Sequence, residues 1–223
     1  FGMEVPKSAR DRREILELAG IYVDELSSTV LSLNLPAGGV GVADRTLQCH
    51  ADAGMPCRLT VRHLRHDPPV LDDADQVLLR SGPRRLFVCE NPSVLAAAAD
   101  ALGPRCPPLL CLEGNPSVAC MRLLDLLCSA GFKIWYHGDF DWGGIRIANR
   151  IYERFGFRPW RFQAGDYEPH RSQGRALKGS PVDAGWDSGL RAVVEQGGQA
   201  VDEETDIESL LKDLREASAG KRQ

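Results

Sequence analysis

The stretch Lys133–Asn149, KIWYHGDFDWGGIRIAN, constrains the fold more than any other part of the chain. Lys133 to His137 is apolar, aromatic and β-branched, the composition of a short buried strand. The strand stops at Gly138 and delivers Asp139 and Asp141, separated by one residue. Gly143 and Gly144 then permit a tight turn into a helical pattern that begins near Ile145. Open α/β sheets bind their ligands beyond the carboxyl ends of the strands. On an extended backbone, residues two apart point to the same side, so both carboxylates can reach one cation. Oxygen-only ligation of this kind suits Mg²⁺ or Mn²⁺ rather than zinc.

The residues before this stretch repeat its logic. Leu86–Cys89 reads as a strand, followed by Glu90-Asn91-Pro92-Ser93 and a helix over Val94–Leu102. Leu109–Leu112 is a second strand, followed by Glu113-Gly114-Asn115-Pro116-Ser117 and a helix over Val118–Ala130. Asn is a good N-cap and Pro suits the first helical position, so each Asn-Pro marks a helix start. A further strand is expected over Pro159–Gln163. Strand and helix alternate with short connections, the pattern of an α/β parallel sheet covered by helices. Glu90, Glu113, Asp139 and Asp141 are then expected at one edge.

The flanks are less regular. Ser8–Ala19 reads as a helix, Thr29–Leu35 as a strand, Gly41–Ala53 as a helix and Cys57–Val61 as a strand. Thr60 is placed to cap a short helix through Leu64. Asp67–Asp75, with Pro68-Pro69, reads as a loop or linker. The expected division is an appended α+β element over residues 1–80 and a main domain over 81–223. In the tail, Trp186–Gln196 and Thr205–Leu214 read as helices, the second acidic with Ile207, Leu210, Leu211 and Leu214 on one face. Ala217–Gln223 is expected to be disordered.

A chain of 223 residues with 43% hydrophobic and 26% charged residues can bury a real core. No stretch resembles a membrane span or a signal peptide. Seven cysteines, an odd number with no CxxC, favour free buried thiols in a reducing cytoplasm. The chain opens at Phe1 rather than Met, as a piece of a longer protein would. The net charge of −4 argues weakly against a nucleic-acid partner, but charge is unevenly spread. Between Arg146 and Lys178 eight basic residues face three acids, whereas the tail from Val201 holds seven acids against four bases.

A Glu after one strand and a DxD after a later strand of the same sheet is the metal-site pattern of Toprim domains. FVCEN (Phe87–Asn91) and HGDFDWGG (His137–Gly144) carry that resemblance. Such domains occur in topoisomerases, primases, the A subunit of topoisomerase VI and overcoming-lysogenisation-defect nucleases. YHGDFDWGGIRIAN, with FVCENPSVL, CLEGNPS and PWRFQAGDY, more specifically resembles the carboxyl-terminal Toprim region of the nuclease-subunit family (JetD) of Wadjet anti-plasmid systems. The resemblance covers roughly Leu86–Leu214 and implies a Toprim-like, Rossmann-like fold. The segment before it would be the end of an upstream arm that helps hold DNA.

The resemblance also implies an activity. The chain would be a divalent-metal DNA endonuclease that cleaves plasmid DNA by hydrolysis within a condensin-like SMC ATPase complex. Glu90, Asp139 and Asp141 would be its metal and catalytic acids, with Mg²⁺ or Mn²⁺ as cofactor. Glu90 would either ligate metal or act as general base. Relatives suggest a homodimer. Glu113 is a further metal candidate, with a helix-start charge as the plainer reading. Glu203 and Glu204 are weaker candidates, because an acidic turn there could fold back to the site.

Other residues have competing readings. Arg146, Arg150 and Arg154 are spaced for one helix face and, with Lys178, are candidates for DNA phosphates; a solvated face is the plainer reading. His137 is read as structural rather than catalytic and Trp142 as packing rather than base-stacking. Cys49, His50, Cys57, His63 and His66 lack a zinc spacing. No tyrosine among Tyr22, Tyr136, Tyr152 and Tyr167 has a recognisable catalytic setting, so attack by water is expected over a covalent intermediate. Two other functions compete: a non-catalytic Toprim-fold module that docks DNA or a partner, and a DxD phosphatase-type enzyme.

Overall fold

The computed structural model describes residues 25–71 and 84–219. The expected helix over Ser8–Ala19 lies outside these residues, as does Tyr22. A six-stranded sheet forms the centre. Its strands are β1 (Thr29–Leu33), β2 (Cys57–Thr60), β3 (Arg84–Cys89), β4 (Leu109–Cys111), β5 (Phe132–Tyr136) and β6 (Arg158–Pro159), in the order β2-β1-β4-β3-β5-β6. β4, β3, β5 and β6 run parallel, as the strand–helix alternation predicts. β1 pairs antiparallel with both β2 and β4. Residues before 81 thus supply two strands of the same sheet. The arrangement is Rossmann-like and compatible with a Toprim-type fold.

Alternation along β3 explains the layers. Leu86 and Val88 face one core, with Val30, Leu110, Ile134 and Tyr136. Phe87 and Cys89 face the other, with Leu31, Leu33, Leu109 and Cys111. The first core is covered by α1 (Val42–Ala53), α2 (Val61–His66), α4 (Val118–Ser129) and α5 (Trp142–Phe155). The second is covered by α3 (Pro92–Leu102) and α8 (Ile207–Ala219). Between them in sequence lie α6 (Ala164–Tyr167) and α7 (Leu190–Gly197). Leu210, Leu211 and Leu214 of α8 are buried, the face its apolar spacing predicts.

Several boundaries differ from expectation, each for a local reason. α3 starts at the Asn-Pro signal, two residues ahead of the expected Val94, with Asn91 accepting from the Ser93 N–H and Pro92 inside the first turn. In EGNPS the extra glycine lengthens the loop, Glu113 and Gly114 take positive φ, and Ser117 rather than Asn115 caps α4. α5 begins at Trp142, not near Ile145, because Asp141 caps it by accepting from the Gly144 N–H at 2.8 Å. The two glycines therefore lie inside the first turn. The strand expected over Pro159–Gln163 is cut to two residues, since Arg161 has φ +49.

Trp186 is not helical. Its Nε1–H donates to the Phe162 carbonyl at 2.7 Å and its ring stacks on Phe162, so α7 waits until Leu190. Ala217–Ala219, expected to be disordered, continue α8. Thr60 caps α2 as predicted, in a capping box with His63.

Two short features bring the tail to the sheet's carboxyl edge. β7 (Arg175–Ala176) pairs antiparallel with β8 (Gln199–Ala200). The next residue, Val201, forms an antiparallel bridge with Phe140, the middle residue of the DxD. A 3₁₀ turn over Glu203–Asp206 then leads into α8.

Candidate functional site at the carboxyl edge of the sheet

Strand register decides which side chains meet. β3 and β5 are neighbours with Val88 opposite Tyr136, so Glu90 is level with Gly138. A side chain at Gly138 would place its Cβ 3.0 Å from Glu90 Oε2 and 3.2 Å from the Tyr136 hydroxyl. Glycine at that position lets the Glu90 carboxyl lie across the end of β5. The Asp139 N–H reaches towards Glu90 Oε2 at 3.5 Å. Phe140 turns inward and is 3% exposed, leaving Asp139 and Asp141 on the other side, as the two-residue period predicts.

The predicted acids are therefore assembled from two strand ends. Glu90 is 8% exposed. Burial, and next the Asp139 charge, push its carboxyl up to about 8. Asp139 is raised to about 6, chiefly by burial, although the Glu203 N–H, donating to its Oδ1 at 2.7 Å, acts the other way. Asp141 is held differently. Its Oδ1 caps α5, and its Oδ2 accepts from Arg175 Nη2 at 3.1 Å.

Glu203, one of the two weaker candidates, folds back to this edge. It is 1% exposed, and both its oxygens accept from the Glu90 N–H at 3.1 Å while Oε2 also accepts from the Asn91 N–H at 2.6 Å. Burial raises its carboxyl well above the usual range. Glu203 therefore fixes the turn after β3 through its side chain and Asp139 through its backbone. Glu204 accepts from the Ser93 hydroxyl at 3.3 Å. Beside these residues lies a cleft of ≈ 660 Å³, lined by Asn91, Asp139, Gln173, Arg175, Asp202, Glu204 and Thr205.

Other predicted residues are engaged elsewhere. The Glu113 backbone follows β4 at the same edge, but its side chain forms a bidentate ion pair with Arg58 at 2.7 and 2.5 Å. Arg146 donates to the carbonyls of Trp142 and Ser180, and Arg154 pairs with Asp125 at 2.7 Å. Arg150 is half-buried between them on α5, and Lys178 is exposed. His137 is buried, and its Nδ1 lies 2.9 Å from the Trp160 carbonyl. Burial lowers its pKa to about 4, so it is neutral and structural. Trp142 is buried in the first core, as a packing residue. His50 faces the Pro56 carbonyl, His63 completes the α2 cap and His66 faces Glu25.

Sequence reasoning missed Arg175 and Asp202. Arg175 stood only as one of many bases in a basic run. The acidic run from Asp202 to Glu204 was the available signal for the tail's approach.

The chemistry of this donor set fits a hard divalent cation. Glu90, Asp139 and Asp141 lie along one rim, where burial and mutual repulsion raise Glu90 to about 8 and Asp139 to about 6, a cost that a dication would offset. Among the described residues, however, no three His, Cys, Asp or Glu side chains already stand in ligating geometry.

Fold and rim together define an α/β protein with an acidic strand-end site. The family profile described as "Protein of unknown function C-terminus (DUF2399)" matches residues 57–214, and the chain belongs to that family. A second, "Protein of unknown function N-terminus (DUF3323)", matches residues 1–37. No curated protein matches the chain. Among the described residues, no helix is long and apolar enough to cross a membrane.

Proposed function

We propose that this chain is a metal-dependent nuclease domain that hydrolyses DNA phosphodiesters, the plasmid-cleaving part of a Wadjet-type defence complex with a condensin-like SMC ATPase. One observation carries the reading: Glu90 and Asp139, from separate strand ends, share a partly buried rim with their carboxyls raised towards neutral pH. The likeness of Tyr136–Asn149 to the Wadjet nuclease-subunit Toprim region supplies the substrate class.

In this reading Glu90, Asp139 and Asp141 hold Mg²⁺ or Mn²⁺. A cation there supplies positive charge to a phosphodiester oxygen and lowers the pKa of water. The chain's own contribution is placement. Gly138 makes room for the Glu90 carboxyl, Asp141 stays fixed by capping α5, and Glu203 locks the turn after β3 to Asp139. In the metal-free rim the Glu90 carboxyl is raised to about 8; a dication beside it would lower that value and favour the carboxylate that ligates.

A second reading, a Toprim-type module that docks DNA or the ATPase without cutting it, is favoured by a different fact. Asp139 and Asp141 are already engaged, by the Glu203 N–H and by Arg175. Incubating supercoiled plasmid with the protein and Mn²⁺ or Mg²⁺, alone and with the partner complex, separates the two. Cleavage lost in Glu90→Ala and Asp139→Ala proteins supports the nuclease. Intact plasmid with retained DNA binding in the partner complex favours docking.

A further inference from the structure

Arg175 is the one basic side chain among the residues that line the rim cleft. It lies on β7, whose partner β8 leads directly into Val201 and the acidic turn. Its Nη2 is 3.1 Å from Asp141 Oδ2 and 2.9 Å from Asp202 Oδ1, with Nε 3.2 Å from the latter. One guanidinium thus bridges two carboxylates from separate segments, the turn before α5 and the acidic turn after β8. Its backbone is fixed in the ribbon, but its side chain is 53% exposed.

Arginine cannot shed its proton to leave a site; it can only move. A dication bound at Asp141 would repel the guanidinium a few ångströms away. An exposed ion pair of this kind is weak, so an ion held by several carboxylates outcompetes it. Once released from Asp141, the guanidinium can keep Asp202 through Nε and turn its Nη groups into the cleft. Their planar fork matches the geometry of a phosphate.

We infer that Arg175 is a displaceable counter-charge and a substrate-binding residue. It neutralises Asp141 and Asp202 until a divalent cation takes its place at Asp141, and then turns its free Nη edge onto a phosphate oxygen of the nucleic acid. The inference rests on the metal-site reading above and adds to it a residue that trades partners between the two states.

The test is a calorimetric titration of Mn²⁺ into wild type, Arg175→Gln, Arg175→Lys and Asp139→Asn proteins. Short-duplex DNA binding is then measured in Ca²⁺ at several salt concentrations. Arg175→Gln is expected to bind Mn²⁺ roughly two- to fivefold more tightly, with Arg175→Lys close to wild type. The same Arg175→Gln protein is expected to bind DNA less tightly, with a salt slope smaller by about 1. Opposite changes in the two affinities are the signature, since a structural defect would weaken both. Equal or weaker Mn²⁺ binding by Arg175→Gln, or unchanged DNA affinity and slope, overturns the inference. If Asp139→Asn binds Mn²⁺ as wild type does, the rim is not a metal site and the parent reading fails with it. If Asp139→Asn loses Mn²⁺ while Arg175→Gln equals wild type, only the role of Arg175 fails.

Discussion

Two adjacent glycines at the start of α5 have different jobs. A Cβ at Gly144 would stand 2.3 Å from the Asp139 carbonyl oxygen, a backbone atom that cannot step aside alone. A Cβ at Gly143 meets only Asp141 Oδ1, at 3.1 Å. Gly144→Ala is therefore expected to cost on the order of 2 kcal/mol and to shift Asp139. Gly143→Ala is expected to cost less, because only the Asp141 carboxylate has to give, by a few tenths of an ångström, and alanine favours a helix. Thermal melts of the two variants check the contrast, and equal destabilisation would refute it.

His137 gives a second test at this scale. With a folded pKa near 4 and an ordinary unfolded value near 6.5, the native state binds fewer protons between those limits. Its contribution to stability is present above pH 6.5 and is lost as pH falls towards 4. In a proton NMR titration from pH 8 to pH 5, the His137 ring resonances are expected not to shift. A His137 titration curve with its midpoint in that range would show that the ring is not held neutral.

At the scale of elements, the site depends on a helix that contributes no ligand to it. α8 packs on α3 through Leu210, Leu211 and Leu214, and Asp213 accepts from Trp160 Nε1 and pairs with Arg161. The 3₁₀ turn that holds Glu203 begins the same segment. Leu214→Ala is expected to cost about 2–5 kcal/mol by cavity formation. Glu203→Ala is expected to cost a few kcal/mol, since the N–H groups of Glu90 and Asn91 would be buried without an acceptor. The two should differ in Mn²⁺ affinity, measured below the melting range of both. Glu203→Ala is expected to weaken it at least tenfold, whereas Leu214→Ala leaves it near wild type.

Elements also show where sequence reading ran out. Period-two and helical patterns were enough for β3 to α5, because each strand there is buried and each helix has its own cap. They failed at Arg161 and Trp186, where one backbone dihedral or one aromatic stack outweighs local pattern. Glu90, Asp139 and Asp141 were legible as strand-end acids. The Arg58–Glu113 pair and the Arg175 bridge were not, since they join residues 55 and 34 positions apart whose proximity is fixed only by sheet order and by the β7–β8 ribbon.

For the molecule as a whole, protons and metal should compete. Glu90 and Asp139 have folded pKa values near 8 and 6, above their ordinary range. The metal-free fold prefers them protonated, so their contribution falls as pH rises, from about 4 to 6 for Asp139 and from about 4.5 to 8 for Glu90. A divalent cation that binds only the folded state restores stability, and does so most where those protons are already leaving. The upward shift of the melting temperature with Mn²⁺ is expected to be larger at pH 8 than at pH 5.5, and to disappear on adding chelator. A shift independent of pH would place the ion elsewhere.

The bridge between Phe140 and Val201 has a consequence for the order of events in a cell. Glu90 and Glu203 lie 113 positions apart, and the first is not locked until the second arrives. A ribosome working from the amino end completes the central strands well before it makes the segment that fastens them. On the nascent polypeptide the rim would therefore stay unfastened until the Glu203 segment has left the exit tunnel.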